Sequence, residues 1–402
     1  MRNMLIKKNI IRNLYFILFF SVFIISYQIR GIFVSGKIQS LNILAIVAIF
    51  FIVFNKNTIL KKRYIFFIGI LTLSMIYSQS INNKSFMENM VVISCIIIPM
   101  SLIFIYINKI KFEKIFFLYV RYFNYIIIIL FIFAIVDRIS GDAIAKVFTS
   151  MFNDESFRTA VNSPNNIRYY SFMGHPLYNT QLFLMFYVIN AIVKKYFPEK
   201  QKIKMSYVVL ITVFGVLFTA SKTGMALTLI LLLFMAPYKN KKIVYLVLIF
   251  ILLIILYKLG FFDNLIYRLT TQTLTSGRNE VWSILKQNDI FPIKFWYGYG
   301  SGFNNLYNYY IKGASMAFEY PIKLFQLEYG ILNSIFIYII IFIYPIYNIV
   351  KSRQWHIFIG FIVIFIDVNT YNGIGLGMDI MMMFCLFMNM ILNLVNYLKV
   401  NR

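Results

Sequence analysis

Apolar residues run through this chain in blocks of roughly 14 to 24, separated by short polar turns. The blocks fall at about 13–34, 41–55, 64–80, 89–108, 115–137, 178–193, 205–220, 224–237, 243–261, 325–348, 356–371 and 378–397. A helix rises ~1.5 Å per residue and the hydrocarbon of a bilayer is about 30 Å thick, so such blocks predict membrane-spanning helices. The expected fold class is all-α: a polytopic integral membrane protein with about twelve transmembrane helices. The blocks at 205–220 and 224–237 are short enough to be tilted, re-entrant or broken spans. Two stretches depart from the pattern, residues 138–180 and 262–324. Backbone cannot cross lipid unless its polar groups are bonded, so long irregular insertions belong outside the hydrocarbon.

Composition agrees with a membrane class. Hydrophobic residues make up 60% of the chain, charged residues 13%, and the mean hydropathy is +0.75. A net charge of +25 on a soluble domain would point to nucleic acid, but here its placement reads as topology. With the N-terminus inside, short inner loops and tails hold 23 of the 39 basic residues. That asymmetry puts both termini in the cytoplasm and both long loops outside, in one membrane domain spanning 1–402. The first basic-then-apolar stretch lacks a small-residue cleavage site between Ser21 and Ile38, so a retained first helix is expected. Cys95 and Cys385 lie in apolar runs and read as packing residues. The inner loops are too short for a nucleotide-binding domain, and no P-loop, dinucleotide fingerprint, zinc spacing or acidic metal-ligand set occurs. No cofactor or metal is called for, and the machinery faces outward.

The outer polar residues carry the candidate chemistry. Arg278 and Trp282, four apart, share a face if Gly277–Gln287 is a short surface helix. A guanidinium can clamp a phosphate through paired hydrogen bonds, and an indole can stack on a sugar or anchor at the headgroups. Lys222, in Ala220-Ser221-Lys222-Thr223-Gly224, sits in a very short outer turn where topology does not ask for a cation. It reads as an anion contact or as a snorkelling lysine. Arg268 and Lys323 are candidates for the same electropositive patch. Glu319 is placed to take a proton from an attacking hydroxyl. Glu328 reads first as a helix-end partner for an arginine, close to substrate. His175, near the end of the first long loop, suits proton transfer or phosphate contact by its ordinary pKa. His356, beside Trp355, is explained by the headgroup region. The run Gly298-Tyr299-Gly300-Ser301-Gly302 predicts a tight turn whose N–H groups would be able to help hold a pyrophosphate.

In order and outer placement these elements resemble the bacterial polysaccharide polymerases and O-antigen ligases of the Wzy and WaaL type. The similarity rests on Ser221-Lys222-Thr223-Gly224, Gly277-Arg278 with Trp282, Gly298-Tyr299-Gly300-Ser301-Gly302-Phe303, and Glu328-Tyr329-Gly330. The chain departs from the pattern where Lys222 replaces an arginine, and where Glu319 and Tyr320 replace a histidine and an asparagine. Ligases of this kind use that histidine, so the resemblance favours a repeat-unit polymerase. It implies a GT-C-like fold in the bacterial cytoplasmic membrane. It also implies inverting, metal-independent glycosyl transfer from an undecaprenyl-diphosphate-linked oligosaccharide, producing capsule or O-antigen polysaccharide. Arg278 and Lys222 would stabilise the departing diphosphate, Glu319 would be the base, and His175, Arg268, Trp282, Lys323 and Glu328 would contact substrate. Membrane lipid is an implied partner, as are a flippase and a chain-length regulator; nucleic acid is not. Ligation of a finished glycan to another acceptor is the nearest alternative. A lipid-linked oligosaccharide flippase or transporter is the other, and it predicts internal repeats and charges near mid-membrane.

Overall fold

A computed structural model of the chain describes residues 2–60, 62–163, 168–236, 278–311, 317–375 and 379–400, with isolated positions 254, 257, 258 and 270. The expected span at 243–261 and Arg268 fall largely or wholly outside the described residues. In chain order the helices are α1 (Arg2–Phe23), α2 (Tyr27–Phe33), α3 (Ile43–Val53), α4 (Lys62–Ile81), α5 (Phe86–Phe104) and α6 (Lys109–Ser140). They continue with α7 (Ala143–Met151), α8 (Glu155–Asn162), α9 (Pro176–Tyr196), α10 (Met205–Phe218) and α11 (Lys222–Phe234). After the undescribed stretch come α12 (Arg278–Asn288), α13 (Phe303–Tyr310), α14 (Pro321–Tyr329), α15 (Ile331–Lys351), α16 (Trp355–Thr370) and α17 (Ile380–Val400).

This is a mostly helical architecture with several apolar helices, that of a multi-pass membrane protein. Among the described residues six helices are long and apolar enough to cross a bilayer: α4, α5, α6, α9, α15 and α17. A seventh span exists if α1 and α2 are counted together, although they meet at 83°. The other expected spans come out shorter. Helices α3, α10, α11 and α16 contain 11, 14, 13 and 16 residues. At ~1.5 Å per residue the shortest covers only about half of a 30 Å hydrocarbon layer. The expected block 325–348 is also two helices, because α14 ends at Gly330 and α15 begins after it.

The chain divides into two compact units: residues 1–121, 278–354 and 371–402 form the first, and 122–277 with 355–370 the second. In the first unit, the break between α1 and α2 has a clear cause. The buried Arg30 turns inward, donating from Nε to the Gln39 carbonyl and from Nη1 to the Ile25 carbonyl and Asp379 Oδ2, each within 2.9 Å. Asn42 donates to the other Asp379 oxygen at 3.1 Å. A buried charge needs such a partner set. The far end of α5 shows the same logic. There the chain leaves the helix and Ile105–Ile107 pairs antiparallel with Thr58–Leu60. Asn389 and Asn393 of α17 serve the released backbone: Asn389 donates to Leu102 and Ile105 carbonyls at 2.7 and 2.8 Å, and Asn393 accepts from Ile107 N–H at 2.7 Å. Side-chain amides thus satisfy backbone that helix geometry no longer satisfies.

In the second unit, α9 is the interior helix, with α10, α11 and α16 packed around it. It carries Asn179, Thr180, Gln181 and Asn190 at 0–2% exposure. Asn190 exchanges amide hydrogen bonds with Asn124 of α6 at 2.9 and 3.2 Å. The first long loop is partly helical, as α7 and α8. Asp137 Oδ1 accepts from the Ile144 and Ala145 N–H groups at the start of α7, at 2.6 and 3.2 Å.

Candidate functional site

The described residues between 278 and 329 gather around a core of their own. Leu285, Phe291, Phe303, Tyr307, Phe318, Leu324 and Leu327 are buried together, and Val281, Trp282, Tyr299 and Leu306 pack against them. The aromatic rings meet edge to face, Phe291 on Phe303 at 5.2 Å and Tyr307 on Phe318 at 5.1 Å. Such contacts add to plain area burial. The polar stretch is therefore a scaffold and not only a loop.

On its rim the structure brings together two of the expected residues. Arg278, in the first turn of α12, donates from Nε to Glu319 Oε2 at 2.7 Å; the side chains are 17% and 43% exposed. The guanidinium is a fork, and this bond engages only its Nε side. The neighbours fix the pair's geometry. The Phe318 N–H donates to Asn304 Oδ1 at 3.1 Å, orienting the chain just before Glu319. Tyr320 donates its hydroxyl to Asn279 Oδ1 at 2.9 Å, tying the residue after Glu319 to the one after Arg278.

Lys323 lies close by, with Nζ 4.3 Å from the Trp282 ring and 4.7 Å from the Tyr320 ring. Burial and the positive Lys286 nearby lower its pKa, and the ring faces offset part of that cost. Trp282 also packs edge-on against Phe318 at 6.2 Å. Sugar stacking was one expectation for this indole. In the structure it holds Lys323 and closes the aromatic core.

The glycine-rich turn is closed to phosphate. Each N–H from 298 to 303 already donates within the protein: Gly298 to Ser78 Oγ, Tyr299 to the Leu327 carbonyl, and Gly300 to the Glu328 carbonyl, at 3.0, 2.8 and 2.9 Å. Ser301 donates to Gln79 Oε1, and Gly302 and Phe303 both donate to Glu328 Oε1, at 3.3, 2.8 and 3.1 Å. This corrects the expectation that the turn's amides hold a pyrophosphate. The glycines serve proximity instead. A Cβ on Gly298 would stand 2.2 Å from the Leu327 carbonyl, and Gly330 has φ +91 with the Tyr297 nitrogen 2.8 Å from where its Cβ would be. Among the described residues Glu328 likewise has backbone N–H groups, and not an arginine, as its bonded partners. It is 4% exposed and caps the start of α13. Burial lifts its pKa to about 7, against the lowering pull of the Phe303 and Gly302 N–H groups, the Tyr329 hydroxyl and Lys84.

The remaining candidates lie in the second unit or outside the described residues. His175 is the N-cap of α9, its Nδ1 accepting from Leu177 N–H at 3.2 Å. Burial and the positive Arg168 push its pKa down to about 3, so the ring is neutral at physiological pH, against the expectation of a near-neutral titration. Lys222 opens α11, where Ser221 Oγ caps the helix by accepting from Gly224 N–H at 3.0 Å. Arg168 donates to the Thr219 carbonyl at 3.0 Å, which sets it by the same turn. Sequence reading passed over Arg168, and nothing local in the sequence marks it. It also passed over Ser78, Gln79 and Asn82, which look like ordinary helix-end polar residues until the turn is seen resting on them. Asp367, 1% exposed in α16, was missed as well; its Oδ2 has no hydrogen-bond partner.

No protein-family model, curated protein or solved structure matches this chain. The chemical content of the site is therefore its own geometry: a carboxylate and a guanidinium in contact on a rigid rim, with a cation held over aromatic faces beside them.

Proposed function

We propose that the protein is a glycosyltransferase that joins undecaprenyl-diphosphate-linked oligosaccharide repeat units into polysaccharide at the outer face of the bacterial cytoplasmic membrane. The reading includes a twelve-span, GT-C-like body with both termini in the cytoplasm. The observation that carries it is the Arg278–Glu319 contact on the rim of the folded polar stretch, with Lys323 beside it.

The pair has a direct use in such a reaction. A lipid diphosphate carries more negative charge than one carboxylate and offers oxygens that match the guanidinium fork. Its arrival draws Arg278 toward phosphate and releases Glu319. The freed carboxylate takes the proton of the acceptor hydroxyl, whose oxygen bonds to the anomeric carbon of the donor sugar. The bond from that carbon to the phosphate oxygen breaks, and undecaprenyl diphosphate leaves with the electron pair. Arg278 and Lys323 stabilise the charge that develops on it. A single in-line displacement inverts the anomeric configuration. Base and clamp thus mask one another until donor binds, which limits proton transfer to water. Lys222 and Arg168, in the other unit, are proposed separately as anion contacts.

Reconstitution of the purified protein with an undecaprenyl-diphosphate repeat unit, followed by sizing of the products, tests this. The expected result is a ladder of polymer lengths that collapses in Arg278→Ala and Glu319→Gln. Polymer made at the parent rate by both variants would overturn the assignment. Transfer of preformed polymer to a different acceptor, without a ladder, would replace it with ligation.

A further inference from the structure

We infer that Glu328 is a proton-sensitive positioning residue: its carboxylate sets the acid limb of the pH dependence by seating the turn 298–303 and, through it, the Arg278–Glu319 pair. The inference rests on the proposed transfer reaction for its kinetic half only.

The connection runs through contacts already described. Glu328 Oε1 accepts from Gly302 and Phe303 at the start of α13, at 2.8 and 3.1 Å. The Phe303 ring packs 5.4 Å from Phe318, and Asn304, the next residue of α13, accepts from the Phe318 N–H at 3.1 Å. Phe318 precedes Glu319, which meets Arg278 at 2.7 Å. Whatever shifts the first turn of α13 therefore shifts the backbone that carries the proposed base.

Glu328 is built to respond to protons. An ionised carboxylate accepts two N–H bonds far more strongly than a neutral acid, while burial favours the neutral form. The two tendencies balance near neutrality, at a pKa of about 7. Its charged and titratable surroundings are few. Lys84 approaches from the turn after α4, Tyr329 bonds to it from its own helix, and beyond Tyr329 lies the Cys95 thiol of α5. From α4 the facing groups are the neutral Ser78 and Gln79, whose bonds hold Gly298 and Ser301. Glu319, by contrast, stands on the rim in contact with a guanidinium and bonds to a side chain rather than to backbone. Below neutral pH the neutral Glu328 loosens its hold on Gly302 and Phe303, and the pair loses its register.

Trp282 supplies a reporter that does not depend on catalysis, because it packs on Phe318 and under Lys323. In a protein carrying Trp296→Phe and Trp355→Phe, Trp282 emission is titrated between pH 5.5 and 8.5, alongside polymer formation, for the parent, Glu328→Gln and Lys323→Met. Glutamine keeps an oxygen for the two N–H bonds, so the variant retains the fold. The expected result is a one-proton transition near pH 7 in parent emission that persists in Lys323→Met and is absent in Glu328→Gln. The parent rate falls about tenfold from pH 8 to pH 6, and that of Glu328→Gln by less than about twofold. An emission transition that keeps its midpoint in Glu328→Gln, or none in the parent, overturns the inference whether or not polymer is made. An emission transition lost in Glu328→Gln with an unmoved rate profile overturns the claim that it governs catalysis. Absence of polymer from every protein, with the emission result as expected, strikes the proposed function and leaves the proton-sensitive seat standing.

Discussion

Glu319 just precedes the short helix α14 and Glu328 lies in its last turn, and the two carboxylates are used in opposite ways. Glu319 is on the rim, 43% exposed, and spends its charge on a side chain, Arg278. Glu328 is 4% exposed and spends its charge on backbone N–H groups. An exposed ion pair contributes little to stability because water competes for both partners, but the same weakness lets a ligand displace it. A buried carboxylate that satisfies two amides is costly to remove and offers nothing to a ligand. Residue type alone therefore says little about role. The burial and partner chemistry of each group decide it.

The comparison breaks first at Arg278. Its replacement by Ala is expected to slow transfer by about 10²–10³-fold while changing stability by less than about 1 kcal/mol, checked by polymer yield and by thermal unfolding in detergent. Glu328→Ala should do the reverse in kind. Two N–H groups, that of Phe303 buried, lose their acceptor, and the thermal midpoint should fall by the equivalent of about 1–3 kcal/mol. Equal stability losses in Glu319→Ala and Glu328→Ala would erase the distinction.

The pH dependence of stability sharpens it further. The folded pKa of Glu328 is about 7 against an ordinary 4.5, so the folded state keeps a proton that the unfolded chain has lost. This stability is fully present below about pH 4.5 and is lost as the pH rises through about 7, by at most about 3 kcal/mol. Denaturant titration from pH 5 to 8 should show that slope in the parent and a flatter one in Glu328→Gln. Stability thus falls in the same range in which the seat of α13 tightens. The smallest effect is expected for Lys323→Met, which removes the cation from the Trp282 and Tyr320 rings. It should weaken donor binding severalfold, about 1 kcal/mol, seen as a raised KM.

Much of this architecture is legible in the order of the residues. The blocks at 64–80, 115–137, 178–193 and 378–397 become α4, α6, α9 and α17, because long uninterrupted apolar runs leave the backbone no alternative in lipid. Arg278 and Glu319 stand out as charges in a long polar stretch, and the structure joins them. The breaks are less legible. Nothing near Ser26 announces that Arg30 will turn inward to Asp379, since that partner lies almost a whole chain away. The aromatic core is invisible for a related reason. Phe303 and Tyr307 share a helical spacing on α13, but Phe291 and Phe318 lie outside that period, so only the fold gathers the four. The role of Glu328 is illegible because its hydrogen-bond acceptance is from backbone N–H groups of Gly302 and Phe303, which no residue type in the sequence marks.

The mutual approach of Gly298 to the end of α14, and of Gly330 to the Phe295–Tyr297 backbone, has a further consequence. The two glycines act like the two halves of a clasp, and everything between them hangs from one fixed point on α4 and α15. Chain inserted between Trp296 and Phe303 would spring the clasp. The segment is thus a cassette whose closure depends on two positions where a hydrogen stands in place of a methyl group.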